Sequence, residues 1–147
     1  MSKRFVFRLT PVQRLRRFSE EKSSLELRQQ IDKWRRARAC QDALERAATV
    51  ARGTLATSVA AGVSASTLKQ LADDVRDTNA RVAEAAAHTE AEATAVEARR
   101  EDLRVAAQAR RSIDRLREIQ HTAWLVESGR AEQKMTDEVA SRQTGLA

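Results

Sequence analysis

The chain has 147 residues, of which 33% are charged and 3% are aromatic, with a formal net charge of +6. It contains a single proline, Pro11, and four glycines. Because proline and glycine are the strongest breakers of local structure, this composition predicts long helices and excludes a domain wrapped around a thick core. A chain rich in alanine and charged helix formers is typical of a coiled coil, so we expect function by shape and contact rather than by chemistry.

The first predicted helix spans residues from about 10 to about 52. Thr10 suits a helix cap, Pro11 fits the first helical position, and Gln13 completes a capping box. In residues 4–9, Phe5, Phe7 and Leu9 alternate with Arg4, Val6 and Arg8, which is compatible with either an extended arm or the first turns of a helix. The apolar stripe of this helix follows a helical period, with a gap near Lys22. Its members are Val12, Leu15, Phe18, Leu27, Ile31, Trp34, Ala37, Leu44, Ala48 and Ala51.

Small, hydroxylated residues and two glycines predict a turn within residues 53–67. Gly62 is the candidate for ending the first helix, and Ser64 or Ser66 for capping the second. The second helix is predicted from about 68 to about 143. Because the turn lies near the middle of the chain, we expect an all-α fold, a long antiparallel two-helix coiled-coil hairpin forming a single domain over 1–147.

The second helix carries the stricter apolar pattern, in alternating steps of three and four residues. Nine of its fourteen stripe positions are apolar, which favours a left-handed coiled coil, and three are charged, which predicts a thin seam. The positions are Leu68, Leu71, Val75, Thr78, Val82, Ala85, Thr89, Glu92, Val96, Arg99, Leu103, Ala106, Arg110 and Ile113. The stripe then continues through Leu116, Ile119, Ala123, Val126, Met135 and Val139. A fold at about residue 61 predicts that Phe5 and Phe7 lie near Trp124.

No group of residues predicts catalysis, a metal site or a cofactor. His88 and His121 lack partners at ligand spacing, the lone Cys40 excludes an intrachain disulfide, and no glycine loop could cradle phosphate. No run of about 18 apolar residues occurs that could span a membrane. Since Arg8 interrupts the first apolar stretch, we also expect no signal peptide.

The charge is concentrated at the start of the chain. Residues 1–38 carry a net charge of +8, whereas the remainder carries −2. This asymmetry predicts an acidic partner for one end of the hairpin. Nucleic acid and an anionic membrane surface are alternatives, but helix-turn-helix, zinc and stacking-aromatic signatures are absent, so nucleic acid is not expected.

Candidate partner contacts follow from this basic segment. They are Arg14, Arg16, Arg17, Arg35 and Arg36, together with Trp34. The simpler interpretation is that these arginines keep the chain soluble and that Trp34 belongs to the core. A cluster of arginines at a docking surface would instead make partner binding sensitive to salt.

Three stretches resemble the FliJ-type flagellar export proteins. They are Phe5-x-Phe7-Arg8-Leu9-x-x-Val12-x-x-Leu15-Arg16 at the start, Gly62-Val63-Ser64-Ala65-Ser66-Thr67-Leu68 at the turn, and Leu116-Arg117-Glu118 with Glu132-Gln133-Lys134-Met135-Thr136-Asp137-Glu138 in the tail. The length and the two-helix layout are also similar, so the resemblance covers nearly the whole chain.

The resemblance implies a non-catalytic coiled-coil component of the flagellar type III export apparatus, cytoplasmic and peripheral on the inner face of the cell membrane. Its implied partners are the hexameric export ATPase, into whose ring the paired ends insert, the cytoplasmic domain of the export gate, and export chaperones. A virulence secretion stalk of the YscO type, a basic coiled-coil nucleic-acid binder and a homodimerising coiled coil remain the alternatives.

Overall fold

The structure is a computed structural model that describes residues 4–145. Helix α1 spans Thr10–Ala61 and helix α2 spans Ala65–Thr144. The described residues contain no strand, and the two helices pack against each other. The prediction of an all-α helical hairpin is therefore confirmed.

Helix α1 begins differently from the predicted capping box. The Thr10 hydroxyl donates backwards to the Phe7 carbonyl at 2.6 Å, and the Thr10 amide donates to the same oxygen at 3.2 Å. The Gln13 side chain turns away from the helix start and donates to Asp114 instead. Pro11 lies in the first turn, where its missing N–H leaves no carbonyl unpaired.

The turn between the helices occupies three residues, Gly62 to Ser64. Gly62 has a φ of 71°, its amide donates to the Val59 carbonyl at 3.3 Å, and the Val63 amide donates to the Ser58 carbonyl at 3.4 Å. This is the Schellman arrangement, which uses a glycine because a side chain is strained at positive φ. Ser64 then caps α2, accepting the Thr67 amide at 3.3 Å.

Helix α1 therefore continues to Ala61, past the predicted end near residue 52. Gly53 does not interrupt it, and the hydroxyls of Thr54 and Thr57 donate to the carbonyls of Val50 and Gly53 at 3.0 and 2.9 Å. Because these hydroxyls bond within the helix, the small polar residues that predicted a loop are compatible with helical backbone.

The chain divides into two compact units. We call residues 23–103 the loop unit, because it contains the interhelical turn. We call residues 4–22 and 104–145 the terminal unit. Each unit contains part of both helices and is described by itself.

The loop unit has a narrow seam in which few side chains are fully buried. Ala37, Ala48 and Val96 are its buried apolar residues. Buried Gln30 donates to Glu92, and Arg99 pairs with Glu26 at 3.2 Å. The charged positions of the predicted α2 stripe thus find partners on α1. Every position of that stripe from Leu68 to Ile113 is buried or half-buried except Arg99. The prediction that this stripe lies in the seam is therefore confirmed.

Candidate functional site: the terminal unit

An aromatic cluster joins the residues before α1 to α2. The Phe5 ring centroid lies 4.9 Å from that of His121 and 5.9 Å from that of Trp124. His121 and Trp124 stack with an interplanar angle of 16°. Phe7, two residues after Phe5, is only 5% exposed. The predicted proximity of Phe5 to Trp124 is confirmed, and it fixes which part of α2 faces the start of the chain.

A polar network forms the interhelical seam next to this cluster. The amide of Gln13, which is 4% exposed, donates to Asp114 at 2.6 Å. Arg110 bonds Asp114 at 2.8 Å and also pairs with Glu20 on α1. Arg17 approaches Asp114 to 3.6 Å. The network therefore links α1 to α2 through a carboxylate on each helix.

Hydrogen bonding shifts the pKa values of two members of this network. The hydrogen bond from Gln13, together with the one from Arg110, lowers the pKa of Asp114 below its ordinary value. The hydrogen bond to Glu20, followed by the one to Asp114, raises the pKa of Arg110. Both shifts favour the charged forms, because each charge is stabilised by its partners.

The apolar stripe predicted for the first turns of α1 does not lie in the seam. Val12 is 36% exposed, Leu15 63% and Phe18 64%. The seam positions here are Gln13 and Glu20, which lie on the opposite side of the helix. The prediction was wrong because polar side chains of α1 face α2 at this point, and the aromatic contact with α2 comes from Phe5 instead.

The predicted continuation of the α2 stripe is also wrong. Leu116, Ile119 and Val126 are 36%, 54% and 48% exposed, and Ala123 is exposed as well. The seam face of α2 continues instead through Asp114, His121 and Trp124. The sequence pattern placed these apolar residues in the seam, whereas they lie on the surface. A helical period alone does not say which face of a helix meets the partner helix.

Positive charge is concentrated in the terminal unit. Its described residues carry 14 lysines and arginines against eight acids, a net charge of +6. The loop unit carries 12 against 13, a net charge of −1. A partner that binds the terminal unit would therefore be favoured by an acidic surface.

The six predicted contact residues divide equally between the units. In the terminal unit Arg14 and Arg16 are exposed, and Arg17 is exposed but forms an ion pair with Asp114. In the loop unit Arg35 pairs with Asp32 at 3.8 Å, Arg36 donates to the Asp32 carbonyl at 3.3 Å, and Trp34 is half-buried. Arg14 and Arg16 are thus the exposed arginines of the set for which neither an ion pair nor a hydrogen bond is described.

Comparison with known families identifies the kind of protein. The family model of the flagellar FliJ protein matches residues 5–146, nearly the whole chain. The chain belongs to the FliJ family. It is therefore a flagellar export-associated coiled-coil protein. No curated protein and no solved structure matches it.

Two further properties of this FliJ-family chain bear on its chemistry. Within residues 4–145 no group of three or more His, Cys, Asp or Glu side chains is placed to hold a metal ion. None of the helices in that range has a segment long and apolar enough to cross a bilayer. What the terminal unit does offer is an aromatic cluster, a polar network between the helices, a net positive charge and several exposed apolar side chains.

Proposed function

We propose that this protein is a non-catalytic stalk of the flagellar type III export apparatus, whose terminal unit binds the hexameric export ATPase and stimulates it. The observation that carries the proposal is the concentration of charge: a net +6 on the terminal unit against −1 on the loop unit, in a chain that belongs to the FliJ family. Such an imbalance attracts an acidic partner to one unit of the chain and orients the encounter.

The aromatic cluster and polar seam suit the terminal unit to this role. Phe5, His121 and Trp124 hold the start of the chain against α2, and Gln13 and Asp114 fix the pairing of the two helices. A pre-ordered pair of helices loses little conformational freedom on binding. Binding to the cytoplasmic domain of the export gate and to export chaperones belongs to the same proposal, on the strength of the family alone, as does a cytoplasmic location at the inner face of the membrane.

The arginine part of the proposal is tested by charge reversal with a matched control. Arg14→Glu with Arg16→Glu changes two exposed arginines of the terminal unit, and Arg35→Glu with Arg36→Glu makes the same change in the loop unit. The affinity for the purified export ATPase is measured by calorimetry at low and high salt. We expect the first variant to bind at least several-fold more weakly, with a shallower salt dependence, and the second to bind like wild type.

Equal loss in both variants would refute a terminal docking surface, and unchanged affinity in both would refute a role for these arginines. Arg17 is left out because it faces Asp114 at 3.6 Å, so that a glutamate there would repel the seam carboxylate. Binding of a DNA duplex by the wild-type chain, with no binding of the ATPase, would favour the nucleic-acid alternative.

A further inference from the structure

The two helices of the loop unit carry opposite net charges. The α1 part of this unit, residues 23–61, holds seven lysines and arginines against four acids, a net charge of +3. The α2 part, residues 65–103, holds five against nine, a net charge of −4. Attraction between the helices therefore adds to the stabilisation from the buried residues Ala37, Ala48 and Val96.

The two helices of the terminal unit carry like charges instead. Residues 4–22 hold six lysines and arginines against two acids, a net charge of +4. The facing part of α2, residues 104–124, ends where the ring of Trp124 meets that of Phe5. It holds five lysines and arginines against two acids, a net charge of +3. In this unit the net charges therefore oppose the pairing of the helices.

A small set of contacts holds these like-charged helices together. A polar network links them, and Phe5 lies against the rings of α2. The members of the network are Gln13, Glu20, Arg110 and Asp114. Since these side chains are buried or half-buried, salt screens their bonds less than it screens charges on the surface. The network therefore resists salt better than the repulsion does.

The repulsion comes from exposed cations on both helices. Arg14 and Arg16 on α1 are exposed, as are Arg111 and Arg117 on α2, and no ion pair is described for any of the four. The axes of packed helices lie about 8–10 Å apart. At about 10 mM salt the Debye length is about 30 Å, so these charges act across the helix pair. Each pair of charges contributes little, but their sum favours separation of the helices.

We propose that residues 4–22 and 104–124 form a charge-controlled clasp, which opens on its own while the loop unit stays paired. Screening or neutralising the positive charge closes the clasp. The α1 part of this unit, residues 10–22, is close to the length of about 12–15 residues below which isolated helices are marginal in water, so its helix loosens on opening. An acidic surface that binds the closed form more tightly shifts the clasp towards closure. This device goes beyond the proposed function, because it needs no particular partner.

Hydrogen exchange of the full chain, followed by mass spectrometry, measures the opening of each unit separately. Peptides within residues 10–22 report on the clasp, and peptides within residues 27–51 report on the loop unit. Exchange is compared at fixed pH in about 10 mM and about 150 mM salt, where the Debye length is about 30 Å and about 8 Å. We expect the higher salt to slow exchange in the clasp about two- to fivefold and to speed exchange in the loop unit by a similar factor.

Charge-neutralising variants test the cause of this difference. Arg16→Gln with Arg117→Gln removes one exposed cation from each helix of the clasp. We expect this variant to exchange about two- to fivefold more slowly in the clasp at low salt, with a weaker salt dependence. The matched control, Lys33→Gln with Arg46→Gln, removes two exposed cations of α1 in the loop unit, where the facing helix is acidic. The control should speed exchange in the loop unit, and circular dichroism at 222 nm checks that both variants keep their helices.

The direction of the changes decides the outcome. Faster exchange of the clasp at higher salt or after Arg16→Gln with Arg117→Gln would overturn the proposal, because the charges would then hold the helices together. Changes of the same sign and size in both units, or no response of the clasp to salt and charge, would overturn it as well. Because the assay contains no ATPase, failure of the clasp leaves the proposed function standing, and a chain that does not bind the ATPase can still show the clasp.

Discussion

The hydrogen bond between Gln13 and Asp114 gives the sharpest test of the polar seam. The bond is 2.6 Å long, joins residues 101 positions apart, and buries the Gln13 side chain to 4% exposure. Hydrogen bonds to charged groups contribute roughly 1.5–3 kcal/mol to folding stability. The higher helix propensity of alanine offsets a few tenths of a kcal/mol of this loss. We therefore expect Gln13→Ala to lower the free energy of unfolding by about 1–2 kcal/mol.

A double-mutant cycle isolates this pair from the rest of the network. Gln13→Ala, Asp114→Ala and the double variant are unfolded in urea and followed by circular dichroism at 222 nm. We expect a coupling energy of about 1 kcal/mol between the two positions. Gln120→Ala, at an exposed position of α2, is the control and should change stability by no more than about 0.5 kcal/mol. Additivity of the two single variants within about 0.3 kcal/mol would refute the account of the seam.

Three further predictions concern the pH dependence of the Gln13–Asp114 pair, the turn and the aromatic cluster. Because the folded-state pKa of Asp114 is lowered, the contribution of this carboxylate to stability is complete above its ordinary pKa of 3.8 and is lost as the pH falls through the folded-state pKa. The coupling energy between Gln13 and Asp114 should therefore be the same at pH 7 and pH 5 and should disappear in strong acid. A loss of coupling already at pH 5 would contradict this. Gly62→Ala, at a φ of 71°, should destabilise the hairpin by about 1 kcal/mol, whereas Gly53→Ala in open helical surroundings should stabilise it by about 0.5–1 kcal/mol; equal effects in urea unfolding would contradict the turn geometry. Phe5→Ala removes a ring 5.9 Å from Trp124 and should shift tryptophan emission to longer wavelength, and an unchanged spectrum would count against the cluster.

The sequence predicted the fold well where local signals and seam composition agree. The stripe from Leu68 to Ile113 combines a strict spacing with small and apolar residues, so the face that meets α1 could be read directly. The turn was predictable in the same way, since Gly62 and Ser64 have conformational and capping roles that depend on neighbours within a few residues.

The terminal unit was harder to predict because its seam is polar. Val12, Leu15 and Phe18 have the helical spacing of a core, and no local signal distinguishes an inward from an outward apolar stripe. The decisive contacts, such as that of Gln13 with Asp114, join residues far apart in the sequence and become visible only once the register of the two helices is known. Phe5 was the exception, because its proximity to Trp124 was predicted from the position of the turn.

The central claim is most directly tested by the ATP turnover of the purified export ATPase with and without this chain. The full chain is added at concentrations up to saturation, and phosphate release is followed at fixed ATP. The proposed stalk function predicts that turnover rises with the concentration of the chain and then levels off, while the chain alone hydrolyses no ATP. Turnover that stays unchanged at saturating protein would contradict the proposed function.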